Sequence, residues 1–338
     1  MKIYRHYPAL VLLSLLCVLN YSRGGEAENP FVGGWALTIP GGHAGWLGVE
    51  SDGSRINAEM LWGWGSVFKL DGARLDGEKL VLTWLQQADR KKPDGTTAKI
   101  QLAETITVTR DGDALKLVTV MPKADGNGEE RSEFTGKRLP PMPPAPDLSK
   151  VKFGKRVQLF NGRNLDGWRV VETDAVNGWS VQNGLLVNNV IEEEGKPHKD
   201  YANLRTVAEF EDFMLHAETR VPKDGNSGIY LRGIDEVQVF DSYGKPLDSH
   251  NMGAIYSRIK PTVNAEKAAG EWQTLDITYV DRHATVVLNG IKIIDNQPVL
   301  GPTGGALWPE VDRAGPIYLQ GDHTGIEYRN IFLRPVVN

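Results

Sequence analysis

The sequence predicts an all-β protein: a smaller antiparallel barrel or sandwich, then a proline-rich linker, then a larger two-sheet sandwich of jelly-roll type. Three observations carry this. Apolar residues recur at every second position in many short runs, which is the period of a half-buried strand. Asn-Gly and Asp-Gly pairs punctuate those runs, and 37 glycines and 19 prolines make the chain turn-rich. No stretch holds a 3.6-residue apolar period long enough to specify a helix.

The elements follow in order. Lys2 and Arg5 form a basic start, and Ala9 to Leu19 is an apolar run too short to span a bilayer comfortably. Residues 1–27 therefore read as a signal peptide, cleaved between Ser22 and Ala27, with an uncleaved anchor as the alternative. The single cysteine, Cys17, lies inside this leader behind the bulky Leu16, which disfavours a lipoprotein site. The mature chain then has no membrane span, no disulfide and no cysteine chemistry, and its expected location is periplasmic or secreted.

Residues 29–138 read as a small all-β domain. Leu80 to Trp84, Ile100 to Thr109 and Leu115 to Val120 alternate, with turns at Asp76-Gly77 and Asp111-Gly112. Trp35, Trp46, Trp62, Trp64 and Trp84 fall here; packing accounts for such residues, and sugar stacking is the alternative. Residues 139–152 form the linker, since Leu139 to Asp147 contains five prolines and favours extended polyproline. Residues 153–338 are strand after strand: Ser180 to Val187 with Asn183-Gly184 inside it, Phe213 to Val221, Trp272 to Tyr279, Ala284 to Leu288, Ile291 to Ile294, Ile317 to Gln320 and Ile326 to Leu333. Asn289-Gly290 marks a tight hairpin.

Charge and motifs exclude several functions. A net charge of −5 without a basic block argues against nucleic acid as a partner. There is no P-loop, Rossmann fingerprint or Gly-x-Ser-x-Gly elbow. His43, His198, His216, His250 and His283 lack paired zinc spacing, Glu192-Glu-Glu194 reads as a solvated face, and no metal or other cofactor is expected. Asp248-Ser-His-Asn251 sits in a Gly/Pro/Ser-rich loop that could rim a pocket.

The segment Asn226-Ser-Gly-Ile-Tyr-Leu-Arg-Gly-Ile-Asp-Glu-Val-Gln-Val-Phe-Asp241 is the most informative. It puts Arg232, Glu236, Gln238 and Asp241 into what should be buried strands, where charges need a reason. Glu236 and Gln238 share a face; Asp241 joins them only through a bulge. Glu236 reads as acid or base and Gln238 as a substrate-orienting amide; the bland alternative is an ion pair of Glu236 with Arg232. Arg232 offers a donor fork to an oxyanion or sugar, or a salt-bridge partner to Glu236 or Asp241. His323 suits proton transfer, or is a loop histidine bonded to backbone. Tyr256 donates a hydroxyl to a sugar or is a half-buried sheet tyrosine. Gln320, just before the His323 loop, is read with Arg232, Gln238 and Tyr256 as a substrate contact.

Several ordered motifs over residues 155–337 resemble the 3-keto-disaccharide hydrolase domain family, formerly a domain of unknown function. They are Leu159-Phe-Asn-Gly-Arg-Asn-Leu-Asp-Gly-Trp168, Asn226 to Arg232, Glu236 to Asp241, Gly253-Ala-Ile-Tyr256 with Pro261, Gly270-Glu-Trp272, Leu288-Asn-Gly290, Leu319-Gln-Gly-Asp-His-Thr-Gly325 and Arg329-Asn-Ile331. One departure is visible: Gly321 stands between Gln320 and Asp322, where many members read Leu-Gln-Asp-His. The resemblance implies a concanavalin A-like lectin/glucanase sandwich, a fold that often carries a structural calcium, though no dense Asp/Asn loop for one is visible here. It implies cleavage of glycosides already oxidised at C3: a base removes the C2 hydrogen, an enolate forms and the C1 substituent leaves, with or without rehydration. Glu236, His323 and Asp241 would be the catalytic groups. The substrate would be an oligosaccharide or glycoside, and a separate sugar 3-oxidoreductase would have to supply it. The Glu236/Gln238/Asp241 pattern is also similar to the Glu-x-Asp-x-x-Glu of laminarinase-type glucanases. Its central acid is here an amide, which weakens a conventional endo-β-glucanase. A non-catalytic, lectin-like carbohydrate-binding protein is the other alternative.

Overall fold

The computed structural model describes residues 29–337 except 93, 192–194, 196 and 198. The leader, Cys17, Glu192–Glu194 and His198 lie outside the described residues. Residues Phe31–Asn338 form one compact unit. Within it, the described residues contain strands and turns and no helix.

Nine strands build the first part: β1 (Gly33–Thr38), β2 (Ala44–Ser51), β3 (Ile56–Leu61), β4 (Phe68–Lys69), β5 (Gly72–Asp76), β6 (Lys79–Lys91), β7 (Thr97–Asp111), β8 (Ala114–Pro122) and β9 (Glu129–Arg138). They form one antiparallel sheet in the order β4-β3-β2-β1-β9-β8-β7-β6-β5. The two ends of that path are consecutive in the chain. Between them, Leu70 donates to Ala58 of β3 and Asp71 donates to Thr83 of β6, both at 2.9 Å. The sheet thus closes as an up-and-down barrel, which covers its edges. Alternate residues fill it: Trp35 and Leu37, Leu47 and Val49, Leu80 and Leu82, Ile106 and Val108, Leu115 and Leu117. Each large side chain buried this way contributes about 1.5–3 kcal/mol.

The second part is a sandwich. One sheet holds β12 (Trp179–Gln182), β13 (Leu185–Asn188), β22 (Ile326–Pro335), β15 (Phe213–Arg220), β18 (Trp272–Val280), β19 (His283–Leu288) and β20 (Ile291–Pro298) in that order, with β10 (Val157–Gln158) also on β22. The other holds β11 (Trp168–Val170), β14 (Leu204–Thr206), β21 (Tyr318–Leu319), β16 (Asn226–Leu231) and β17 (Asp235–Phe240). The inner faces share one apolar core, with Ile229, Leu231, Val237, Val239 and Leu319 meeting Leu215, Ile277, Val286 and Leu333. Asn183-Gly184 and Asn289-Gly290 carry positive φ at both positions, as tight hairpin turns require.

The linker is held rather than free. Leu139 is buried, Arg282 donates to the Pro140 carbonyl at 3.1 Å, and Asn296 donates to the Pro146 carbonyl at 3.0 Å. Extended polyproline leaves its carbonyls open, and the sandwich supplies donors to them. Barrel and sandwich also share a small apolar cluster of Ala36, Trp46, Leu61, Leu139, Ile234 and Val311. Gly305 donates to Gly63 at 3.0 Å, and Val67 donates to the Ser257 hydroxyl at 3.0 Å.

Candidate active site

The five-stranded sheet turns one face to the sandwich core, and its alternate residues turn away. The register aligns Tyr318 with Tyr230 and Tyr230 with Glu236, so these three form a row across β21, β16 and β17. Gly228 lies opposite Gln238 in the next row. A Cβ at Gly228 would come within 2.2 Å of Glu236 Oε1. Glycine there lets the glutamate lie down along the sheet.

Glu236 is only 3% exposed, and burial pushes its pKa to about 8. Among the described residues its side-chain hydrogen-bond partner is the Tyr230 hydroxyl, 3.0 Å from Oε2. That hydroxyl is also 2.7 Å from the Gly304 carbonyl. A phenol has one proton to give, and a carbonyl can only accept. The Tyr230 hydroxyl is in donor range of both acceptors; with Glu236 protonated, the carboxyl can donate to Tyr230 while Tyr230 donates to Gly304. Loss of the Glu236 proton forces Tyr230 to turn from Gly304 to the carboxylate. The backbone of this strand is fixed independently: Glu236 donates to Thr303 Oγ1 at 2.9 Å, and Tyr256 donates to the Glu236 carbonyl at 3.0 Å.

Tyr318 stacks on Tyr230 with centroids 4.4 Å apart. Burial first, and then the acidic side chains of Glu172, Glu236 and Asp322, push its phenol well above the usual range, so it is a neutral donor. Glu172 accepts from the Asn203 backbone at 2.8 Å and its amide at 2.9 Å, and Asp322 accepts from the Tyr201 backbone at 2.6 Å. Asn203 accepts in turn from Gly321 at 2.8 Å. Gly321 is pressed against the chain: a Cβ there would meet the Ala202 carbonyl at 2.3 Å. The inserted glycine is what lets this loop lie against β14.

The sequence-assigned residues separate into two groups. The register puts Glu236, Gln238 and Gln320 on the outer face in adjacent rows. Gln238 is buried, and its Oε1 accepts from the Val239 backbone at 2.9 Å. Gln320 donates its backbone N–H to Gly228 at 3.0 Å, and its side-chain Oε1 is buried without a hydrogen-bond partner. Tyr256 stands half-buried at the rim, 3.5 Å from the Ser66 hydroxyl. His323 is exposed in a loop pinned by Thr324 to Asn226, at 2.8 Å and 3.0 Å. Asn226 is four residues from Tyr230, so that anchor lies about 13 Å along the strand from the Glu236 row.

Asp241 and Arg232 are elsewhere. The β16–β17 register runs from Asn226–Phe240 to Leu231–Asp235 without a bulge. Asp241 lies past the strand end and accepts from the Asp224 backbone at 2.9 Å, holding a turn. Arg232 sits in the hairpin turn with φ 55°. Its guanidinium donates to Tyr279 at 3.2 Å and to the Val311 carbonyl at 3.1 Å, with the carboxylates of Asp235 and Asp212 nearby. It neither faces the site nor pairs with Glu236 or Asp241.

Two features come from residues not assigned to the site by sequence. Tyr230 and Tyr318 follow from period-2 counting along strands, since Tyr230 shares the face of Gly228. The barrel's contribution has no local signal. Trp64 is 61% exposed, and a Cβ on Gly305 would lie 3.5 Å from its ring and 2.7 Å from Tyr230 Oη. The other four barrel tryptophans are spent on packing: Trp35 in the barrel, Trp46 at the junction, Trp62 on Phe134 and Trp84 on Phe68. Among the described residues, no group of three or more His, Cys, Asp or Glu side chains converges to hold a metal. A separate cavity of about 920 Å³ lies between the barrel, the linker, Arg282 and Leu300, and none of the assigned residues lines it.

A family model described as the 3-keto-alpha-glucoside-1,2-lyase-like domain matches residues 155–334, more than half of the chain. The chain belongs to that family. The matched region is the sandwich, and the barrel lies outside it. A 3-keto-disaccharide hydrolase from Bacteroides thetaiotaomicron is 25% identical over 36% of this chain. The chain spans about half the length of that relative (51%). A candidate glycosyl hydrolase from Parabacteroides distasonis is similar at 31% identity and a TM-score of 0.44, covering 59% of this chain and 94% of that one. SCLam, a non-specific endo-beta-1,3(4)-glucanase, is similar at 10% identity and a TM-score of 0.35, over 58% and 94%.

Proposed function

We propose that this protein is an enzyme that cleaves 3-keto-glycosides by eliminating the C1 substituent after C2 proton abstraction. The observation that carries the reading is Glu236, a carboxyl kept protonated near neutrality on an outer face lined by tyrosines and amides. Elimination needs an acid at the leaving oxygen. Glu236 supplies that proton, and Tyr230 keeps the acid aligned. A ketone at C3 makes the C2 hydrogen acidic, and the resulting enolate oxygen needs neutral donors, which Tyr318 and the Gln238 amide can provide. The unpartnered Gln320 oxygen would accept from a sugar hydroxyl, which gives the site a reason to prefer polyhydroxylated ligands. Trp64, exposed beside Gly305 and Tyr230, offers an apolar platform for a sugar ring.

Family membership and the name of the Bacteroides relative support the substrate class. The basic and apolar leader supports export, so the enzyme would work in the periplasm or outside the cell. A separate dehydrogenation at C3 must then supply the substrate.

The test is product analysis by NMR in deuterium oxide, with a chromogenic 3-keto-glucoside and its unoxidised parent. Release from the keto compound alone, with deuterium entering at C2 or a keto-glycal appearing, is expected. Release from the parent would replace the proposal with an ordinary glycosidase. Binding without release from either would leave a lectin-like protein.

A further inference from the structure

Two sheet systems meet beside Glu236 in a set of side chains that the family's domain alone cannot assemble. Asp248 and His250 belong to the loop after β17, and Ser66 belongs to the barrel loop between β3 and β4. His250 Nδ1 is hydrogen-bonded to Asp248 Oδ1, which also accepts from the His250 backbone at 2.9 Å. On the opposite edge of the ring, His250 Nε2 lies 2.8 Å from Ser66 Oγ. Ser66 Oγ is 3.5 Å from Tyr256 Oη. The His250 and Tyr256 rings pack edge to face, 4.9 Å apart at 82°. Tyr256 bonds through its backbone to Glu236, and its phenol contributes to the electrostatic environment of Tyr230.

The barrel loop is firmly seated. Val67 donates to Ser257 at 3.0 Å, and a Cβ on Gly304 would meet the Gly65 carbonyl at 2.1 Å, so the two backbones touch there. A serine held between a carboxylate-bound histidine and a phenol has two uses: nucleophile, or proton bridge. A nucleophile needs adjacent backbone donors for an oxyanion. The N–H after Ser66 is already given to Ser257. A bridge needs only its two neighbours, and both are present.

We propose that the barrel completes the site: Ser66 bridges His250 to Tyr256, and Tyr256 is the base that works opposite Glu236. The inference rests on the elimination reading above. At 3.5 Å Ser66 Oγ is the donor to Tyr256 Oη; in the relay's starting state both hydroxyls turn, so that Tyr256 donates to Ser66 Oγ, Ser66 donates to His250 Nε2, and His250 Nδ1–H donates to Asp248. Moving each of the first two protons one step leaves Tyr256 as phenolate and His250 as imidazolium beside Asp248. The phenolate takes the C2 hydrogen, the C–H electrons form the C2–C3 enolate, and on its collapse the C1–O bond breaks. The leaving oxygen takes the Glu236 proton. Transfer of the extra proton from His250 to Glu236 through solvent restores both groups. The 3.5 Å Ser66–Tyr256 separation is of the kind that shortens when substrate closes a site.

Tyr256 is here a catalytic residue; His250 and Ser66 position it and move its proton. The test uses the full chain, with 3-keto-glucosides carrying hydrogen or deuterium at C2. Ser66→Ala should lower kcat about 100-fold, change KM less than about 2-fold and raise the C2 isotope effect. Ser66→Thr, which keeps the hydroxyl, should restore most of the rate. Tyr256→Phe should cost as much as Ser66→Ala, and the double variant should cost little more than either. Full rate with an unchanged isotope effect in a folded Ser66→Ala protein overturns the bridge. So does an effect on KM alone. Stoichiometric capture of Ser66 by a fluorophosphonate would overturn it in favour of a nucleophile. Wild-type protein that leaves every keto-glycoside intact would sink the elimination reading itself. The bridge would then be judged by the His250 ring nitrogens in NMR: a Nε2 signal that shifts in Ser66→Ala keeps it, and an unchanged one ends it.

Discussion

Asp235 and Glu236 are adjacent in sequence, both carboxylic, both buried, and on opposite faces of β17. Burial raises both pKa values. The difference lies in what opposes it. Asp235 accepts from Tyr279 at 2.5 Å and has the charges of Arg232, Arg258 and Arg282 around it. Against the burial of Glu236 stands only the hydrogen bond of a neutral phenol, Tyr230. A buried carboxylate ringed by cations is part of a structural network. A buried carboxyl with only neutral company is a stored proton. Sequence position cannot separate the two, and the alternation of the strand does.

The largest expected effect breaks the Glu236 side. Glu236→Gln removes the acid but keeps the shape. It should lower kcat about 10³-fold on a poor leaving group, and less on a nitrophenol that needs no proton. Stability should move the other way. The native carboxyl ionises near pH 8, whereas an unfolded glutamate ionises near 4.5. Between those values the unfolded state loses its proton first, so wild-type stability falls as pH rises and levels off above 8. Glutamine lacks this cost. The variant should match wild type near pH 4 and exceed it by about 3–5 kcal/mol at pH 9. Denaturant midpoints at the two pH values read this directly. In wild type, kcat/KM should fall on the alkaline side with an apparent pKa near 8.

The mirror experiment breaks the Asp235 side. Asp235→Asn leaves Arg232 and the neighbouring arginines short of a countercharge in a buried setting. It should destabilise by about 3–5 kcal/mol while the folded fraction keeps its turnover. Loss of kcat with unchanged stability would erase the distinction between the two acids. Asp241→Asn sharpens the same point at lower cost. It removes charge from one turn-holding hydrogen bond, so a stability change of about 0.5–1.5 kcal/mol and near-normal kcat are expected by thermal unfolding and rate assays.

These contrasts mark how far the sequence could be read. Strand alternation and turn chemistry placed the hairpins correctly, because both are local. Glu236 and Gln238 were legible as a shared face for the same reason. Asp241 required a bulge, and the observed register has none; an acid near a strand end is as readily a turn holder as a catalyst. Arg232 was read from its place in a motif, but φ 55° in the turn points its side chain toward Tyr279 and away from the outer face. Ser66 was invisible. It meets His250 across 184 positions of sequence and two sheet systems. Nothing within either segment announces the meeting.

Trp64 gives the smallest predicted effect and the most direct probe of the barrel. Four of the five barrel tryptophans are committed to packing, where truncation would cost several kcal/mol of stability. Trp64 is exposed, with His43 at its edge, and its ring lies beside Gly305, next to Tyr230. An indole in that place has no packing duty to explain it. Stacking on a sugar is worth about 1 kcal/mol. Trp64→Ala should therefore raise KM about 5-fold, leave kcat nearly unchanged and shift the unfolding midpoint little, as read by steady-state kinetics and thermal unfolding. A fall in kcat equal to that of Ser66→Ala would mean that the whole barrel loop had moved, and the barrel would then be a scaffold for the Ser66 bridge rather than a second point of contact with the substrate.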